Sequence, residues 1–191
     1  MGEVSSIKAV SRCRKLYRFL VGVFAIIGVF FVIYHSGFSL STIYTNSMAP
    51  ALIGDLDVPR DVVLSERVSY WFRKPRRWEI VKYDSLELDL KTEVMKRVVG
   101  LPGESISIKD NWVMIDGEAI ERPDELGYLT YYGYDKLYKG KTAECGEGYF
   151  VMGDDSSDSF DSRYEGSIEF DRLEGRAWLI IWQWSRIGFV K

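Results

Sequence analysis

The distribution of apolar and polar positions divides the chain into two regimes. Phe19 to Tyr34 is apolar without a charged residue. Sixteen residues span roughly 24 Å as a helix, and Leu16-Tyr17 before them and Gly37-Phe38 after them extend the run to about the thickness of a hydrocarbon core. A helix in a soluble core would keep one polar face, and this run has none. A cleavable leader would end in a small-x-small pattern, which Tyr34-His35-Ser36-Gly37-Phe38 does not provide. The pattern predicts an uncleaved membrane anchor over 19–38, with Arg18 reaching towards the near interface.

Past the anchor, short stretches rich in branched and aromatic residues alternate with turn signals. Strands are predicted over Asp61–Ser65, Trp78–Tyr83, Val94–Val99, Ser105–Ile108, Trp112–Ile115, Tyr149–Met152 and Ala177–Trp184, punctuated by Pro102-Gly103, Lys109-Asp110-Asn111 and Asp116-Gly117. Ile106 and Ile108 before Asp110-Asn111, then Val113 and Ile115 after it, read as a hairpin with a short loop. No further segment has a persuasive helical period and there are no internal repeats. The expectation is a mainly β, antiparallel domain over 39–191. Within it, 123–143 is an inserted excursion carrying Tyr128, Tyr131, Tyr132, Tyr134 and Tyr138 and covering part of the core. On the last strand Trp178, Ile180, Trp182 and Trp184 share a face. That face is expected to pack into the core, and any exposed part of it would suit lipid headgroups.

Charge gives this architecture a direction. Residues 1–18 hold five cations against Glu3, so a chain of net charge −3 carries +4 on its first 18 residues and −7 on the rest. A basic flank stays cytoplasmic, which places the domain beyond residue 36 on the outer side. The net negative charge argues against a nucleic-acid surface. Cys13 and Cys145 would lie on opposite sides of the membrane, so no disulfide joins them, and no Cys/His spacing fits a metal site.

Three segments carry candidate chemistry. Ser47 stands between a turn-forming Asn46 and Met48-Ala49-Pro50, which by itself reads equally as a linker serine. Lys96 lies in the apolar stretch Val94 to Val99. Alternation sends Lys96 to the face of Val94 and Val98 and Arg97 to that of Met95 and Val99, so at least one cation shares a face with branched apolar residues. A buried ammonium is costly and tends to lose its proton, although an edge strand with a solvated lysine would show the same residues. The third segment is the polar run 153–166. Asp154, Ser156, Asp158 and Glu165 fall at positions 1, 3, 5 and 12 of a calcium loop, but Ser159 occupies the position that needs glycine and no helices flank it. A metal is not expected there. Asp161 and Arg163 instead read as an internal ion pair, with hydroxyls free to orient a neighbour.

Together, the anchor, Ser47-Met48-Ala49-Pro50, Arg77-Trp78-Glu79-Ile80-Val81, Lys96 to Glu104 and the loop Gly153-Asp154 to Gly166 resemble the type I signal peptidases, membrane-anchored Ser/Lys endopeptidases that remove signal peptides from exported preproteins. The resemblance implies Ser47 as nucleophile and Lys96 as general base, with no cofactor. It implies that the Thr45 hydroxyl joins the Ser47 backbone N–H in an oxyanion hole, that Ser159 orients the lysine amine, and that Asp161 and Arg163 support it from behind. Ile43, Met48, Leu52 and Met95 fall where the family lines shallow pockets for small side chains one and three residues before the cut. The partners implied are signal-peptide-bearing preproteins and the lipid bilayer, with a single pass through the cell membrane; nothing in the pattern specifies an oligomeric state.

Several positions depart from the family. Asn46 stands where glycine is usual and is expected to narrow the cleft beside the nucleophile. Ala51 replaces a common threonine, Trp78-Glu79 a frequent Gly-Asp, and Asp155 and Ser156 an Asn and Arg. Other readings weigh less. A self-cleaving repressor would have a DNA-binding N-terminus in place of an anchor. The endoplasmic-reticulum type would need histidine in place of lysine, and His35 precedes Ser47. A catalytically inactive tethered interaction domain would not need all five catalytic-type positions, and a mitochondrial inner-membrane relative would share the chemistry.

Overall fold

The structure, a computed structural model, describes residues 2–55, 57–85, 92–132 and 142–191, with backbone alone for 2–13. It forms two compact units, one ending at Gly37 and the other Phe38–Lys191. The first is a single helix, α1 (Gly2–Gly37). Its stretch Arg14–Gly37 contains 18 consecutive residues with a mean hydropathy of 2.5 and is long and apolar enough to cross a membrane. The helix continues through the basic flank as well as the apolar run. It ends at Gly37, a poor helix former, and Phe38 already belongs to a strand.

The second unit is mainly antiparallel β. Its strands are β1 (Phe38–Thr42), β2 (Val62–Glu66), β3 (Ile80–Ser85), β4 (Thr92–Gly100), β5 (Ser105–Lys109), β6 (Trp112–Ile115), β7 (Glu118–Ala119), β8 (Ala143–Glu144), β9 (Phe150–Met152), β10 (Leu173–Trp182) and β11 (Gly188–Phe189). The larger sheet runs β1-β2-β10-β3-β4-β9, with β11 on β10; the smaller runs β7-β6-β5-β8. β5 and β6 form the expected hairpin, pairing Ile106 with Ile115 and Ile108 with Val113. Its turn residues, Asp110 and Asn111, both have positive φ, as a two-residue hairpin loop with right-handed strand twist requires.

β1 was not anticipated, because Gly37-Phe38 reads as the end of the apolar anchor and Ser-Leu-Ser-Thr after it is short and carries no turn signal of its own. Three strands lie between β1 and β4 in the sheet order, yet Ser41 on β1 donates to Glu93 on β4 at 2.8 Å. The sheet therefore curls until its first strand faces its fifth. Bulges in β10 at Ala177/Leu179 and Ile180/Trp182 help it do so. They also break the alternation assumed for the last strand. Ile180 is core, whereas Trp182 is exposed, and Trp184 lies beyond the strand and is 80% exposed. The predicted tryptophan face is not a core face, because a bulge shifts every later side chain.

Inside the curl, Met48, Leu52, Val63, Ile80, Met95, Ala177 and Ile180 form one core cluster. Val81, Tyr83, Val98, Val151 and Leu173 belong to a second. The small sheet makes a third with Val99, Phe150 and Met152, joined by Leu126, Leu129 and Tyr131. The described part of the expected excursion is thus built into a core; Tyr134 and Tyr138 lie outside the described residues.

Candidate active site

Ser47 is placed by a turn and an apolar plug. The Ala49 N–H donates to the Asn46 carbonyl at 2.8 Å and the Leu52 N–H to the Met48 carbonyl at 2.9 Å. Met48 and Leu52 are buried in the cluster beneath, which draws the segment onto the sheet. The Ser47 carbonyl accepts the Asp155 N–H at 3.1 Å, so the loop after β9 closes over the Ser47 backbone. Two glycines allow this fit. A Cβ on Gly153 would stand 2.3 Å from Ser159 Oγ and 2.5 Å from the Ser47 carbonyl, and one on Gly54 would stand 2.3 Å from the Thr45 nitrogen. Ser47 is 7% exposed, with its hydroxyl at a cleft.

Lys96 reaches that hydroxyl from β4. It is 3% exposed, and its Nζ donates to Ser47 Oγ at 2.5 Å. Both cations of the strand prove to be buried. Arg97, 0% exposed, makes a two-pronged ion pair with Asp154, at 2.7 Å for each nitrogen. It also donates to the carbonyl of Trp78 at 2.7 Å. Burial pulls the guanidinium down, but the hydrogen bonds to Asp154 and its charge outweigh that and leave the arginine above its usual range. The sequence left open which cation would be buried; Asp154, 57 residues away, supplies the arginine's counter-charge, and no local pattern announces that pairing.

The loop after β9 supplies the supporting groups. Arg163 grips Asp161 with Nε to Oδ1 at 2.8 Å and a terminal nitrogen to Oδ2 at 2.9 Å. Asp161 Oδ2 also accepts the Gly153 N–H at 3.0 Å and the Ser159 hydroxyl at 2.8 Å. Ser159 is thereby fixed to the ion pair while packing against Gly153, at the place where a Cβ would also meet the Ser47 carbonyl. Thr45 Oγ1 lies 3.2 Å from Ser47 Oγ.

A cleft of about 320 Å³ joins these groups, lined by Ile43, Thr45, Ser47, Met48, Met95 and Lys96 at one end and by Ser41, Thr42, Lys82, Thr92 and Glu93 at the other. Two sequence expectations need correction. Leu52 does not line the cleft but is fully buried below Met48, because the turn after Ser47 points it inward. Asn46 does not narrow the cleft: its side-chain oxygen turns away to accept the Gly54 N–H at 3.1 Å.

Lys82 went unnoticed in the sequence. It is 3% exposed and pairs with Glu93 at 2.7 Å and Glu174 at 3.0 Å. Burial pulls its ammonium down, but the hydrogen bonds it donates to the two carboxylates outweigh that and leave it raised. Its only sequence signal was a lysine inside the apolar strand Ile80-Val81-Lys82-Tyr83, the same signal that drew attention to Lys96.

The family described as signal peptidase, peptidase S26, matches residues 16–182. The chain is 29% identical over 135 residues to the probable signal peptidase I-2 of Synechocystis sp., across 68% of this chain and 59% of that protein. It therefore spans less than two thirds of that relative's length. It is 29% identical over 154 residues to the mitochondrial ATP-independent inner membrane protease subunit 1b of Arabidopsis thaliana, across 78% of each chain. The crystal structure of a signal peptidase I from Enterococcus faecalis is 28% identical, covers 55% of this chain and 97% of that one, and superposes with a TM-score of 0.43.

Proposed function

This chain belongs to the signal peptidase family, peptidase S26, and on that premise we propose that it is a membrane-bound serine endopeptidase that removes N-terminal signal peptides from exported preproteins with a Ser47/Lys96 dyad. The observation that carries this reading is the 2.5 Å contact between Lys96 Nζ and Ser47 Oγ, made at one end of an open cleft by two buried side chains.

With the amine neutral, the proton of that contact belongs to the hydroxyl. Ser47 Oγ donates it to the Nζ lone pair and attacks the scissile carbonyl carbon. The developing oxyanion is received by the Ser47 N–H and the Thr45 hydroxyl; removing one such donor typically costs about 3–4 kcal/mol of transition-state stabilisation. As the C–N bond breaks, the Lys96 ammonium returns its proton to the leaving amine, and a water activated by Lys96 then releases the acyl group from Ser47. Ser159, tied to Asp161 and through it to Arg163, acts as the orienting hydroxyl. Ile43, Met48 and Met95 make shallow apolar surfaces that accept alanine-sized side chains and no cofactor is required.

The helix α1 serves as the anchor. Its apolar stretch and the cationic first 18 residues support a single pass with the tail in the cytoplasm and the β unit outside. Exposed Trp182, Trp184 and Phe189 suit lipid headgroups. The test is incubation of the detergent-solubilised protein with a secretory precursor, followed by N-terminal sequencing of the product. Cleavage after an Ala-x-Ala sequence is expected, and an intact precursor would overturn the proposal. The likeness to a mitochondrial inner membrane protease favours one second reading, the same chemistry at an organelle membrane. Fractionation of the source cells decides between the two.

A further inference from the structure

The end of the cleft remote from Ser47 is built from charge. Lys82, buried beneath it, holds Glu93 at 2.7 Å and Glu174 at 3.0 Å and donates to Ser39 at 3.2 Å. Glu93 is held a second time by the Ser41 hydroxyl at 2.8 Å. The Glu93 side chain is 49% exposed and lines the cleft, as do Ser41 and Lys82, whereas Glu174 does not. One ammonium set against two carboxylates leaves the cluster with a formal charge of −1. Of the two carboxylates in this cluster Glu93 is the one on the cleft side, fixed in place with part of its surface open; Asp158, from the loop after β9, also lines the cleft but is not part of the cluster.

We propose that Glu93 is a specificity-determining residue that receives a cationic or hydrogen-bond-donating side chain of the substrate, upstream of the small-residue pockets. The inference rests on the proposed peptidase activity and deepens it. An extended peptide running along β4 advances about 3.3 Å per residue. Glu93 is three positions before Lys96 on that strand, or about 10 Å away, with Ile43, Met48 and Met95 lining the catalytic end of the same cleft. If those surfaces take the residues one and three before the cut, Glu93 lies within reach of the fourth or fifth. Substrates with lysine or arginine there gain a charge pair at a preorganised carboxylate. Substrates with glutamate or aspartate there meet like charge, which disfavours them.

The experiment uses the full-length protein in detergent and three peptides sharing one Ala-x-Ala cleavage sequence, with lysine, glutamine or glutamate at the fourth and fifth positions before the cut. The wild-type protein should cleave the lysine peptide with a kcat/KM about tenfold above that of the glutamate peptide, equivalent to about 1.4 kcal/mol. The preference should shrink as salt is raised, as expected for a partly exposed pair. Glu93→Gln, which keeps the shape and one of the two acceptor oxygens, should collapse the lysine-to-glutamate ratio towards one. Equal rates for the two charged peptides with wild-type protein would overturn the proposal without any variant, as would an unchanged ratio in folded Glu93→Gln protein. Failure to cleave the neutral glutamine peptide at all would instead count against the parent activity.

Discussion

Lys82 and Lys96 are both 3% exposed, but their surroundings differ. Lys82 meets two carboxylates, which hold it as an ammonium; Lys96 meets a hydroxyl at 2.5 Å. In the proposed dyad the base for Ser47 must be neutral when it acts, so kcat/KM for an Ala-x-Ala peptide should rise with pH as Lys96 loses its proton. An acidic limb near pH 4 with full activity by pH 5 would mean that a carboxylate is the base. Lys96→Arg should be inactive although it keeps the charge. The Ser47→Ala/Lys96→Ala double variant should be little worse than either single one, because the two act as a unit.

A different residue-scale prediction concerns Arg97 and Asp154. Both side chains are fully buried, and removing one charge leaves the other stranded. Asp154→Asn should cost about 3–5 kcal/mol of stability, read from urea unfolding. Glu79→Gln, which breaks the partly exposed pair with Arg73, should cost under about 1 kcal/mol.

At the scale of elements, the loop after β9 and the turn at Ser47 share one interface, where the Asp155 N–H donates to the Ser47 carbonyl and Gly153 lies against the same oxygen. Gly153→Ala would force its new carbon towards the Ser47 carbonyl, 2.5 Å away, and a backbone carbonyl cannot rotate aside. With Ser47 as the proposed nucleophile, its displacement by about 1 Å is enough to lower kcat by about 100-fold. Steady-state kinetics on folded protein, checked by circular dichroism, would measure it; wild-type kcat would show that the loop yields instead. Elements with a self-contained signal could be read from the sequence alone. The β5–β6 hairpin carries its own alternation and turn, and the helix α1 its uninterrupted apolar run. β1 could not be read, since its pairing with β2 spans a 19-residue gap between Thr42 and Val62, nor could the end of β10, where bulges reset the alternation. The site divides in the same way. Ser47, Lys96, Asp161 and Arg163 stand in short motifs. Leu52 and Asn46 were misplaced, because the inward or outward aim of a turn residue depends on what packs beneath it, and the partners of Arg97 and Lys82 are set by strands remote in sequence.

For the whole molecule, the asymmetry between a +4 tail and a −7 remainder should fix orientation. Protease added to cells stripped of any outer envelope is expected to digest the β unit while the tail stays protected, detected with an antibody against each end. Digestion of the β unit only after lysis would reverse the assignment. Moving the charge bias, by replacing Arg12, Arg14, Lys15 and Arg18 with neutral residues, should produce a mixed population.

The curled sheet has an open seam. Among the described residues β1 pairs only with β2, and Thr92–Met95 of β4 has a strand partner on the β3 side alone. The two margins are stapled by Ser41 and Glu93 but not zipped by backbone hydrogen bonds. Such margins breathe more readily than paired strands, so their amides should exchange with deuterium well before those of β3 or β10. An uncleavable peptide lying in the seam would complete the ladder and bind only the folded form. At a hundred times its dissociation constant it should add about 2.7 kcal/mol to the unfolding free energy and slow exchange at 38–42 and 92–95. The resting enzyme would then be the least rigid member of its own reaction cycle, and each passing substrate would briefly stiffen the sheet that cuts it.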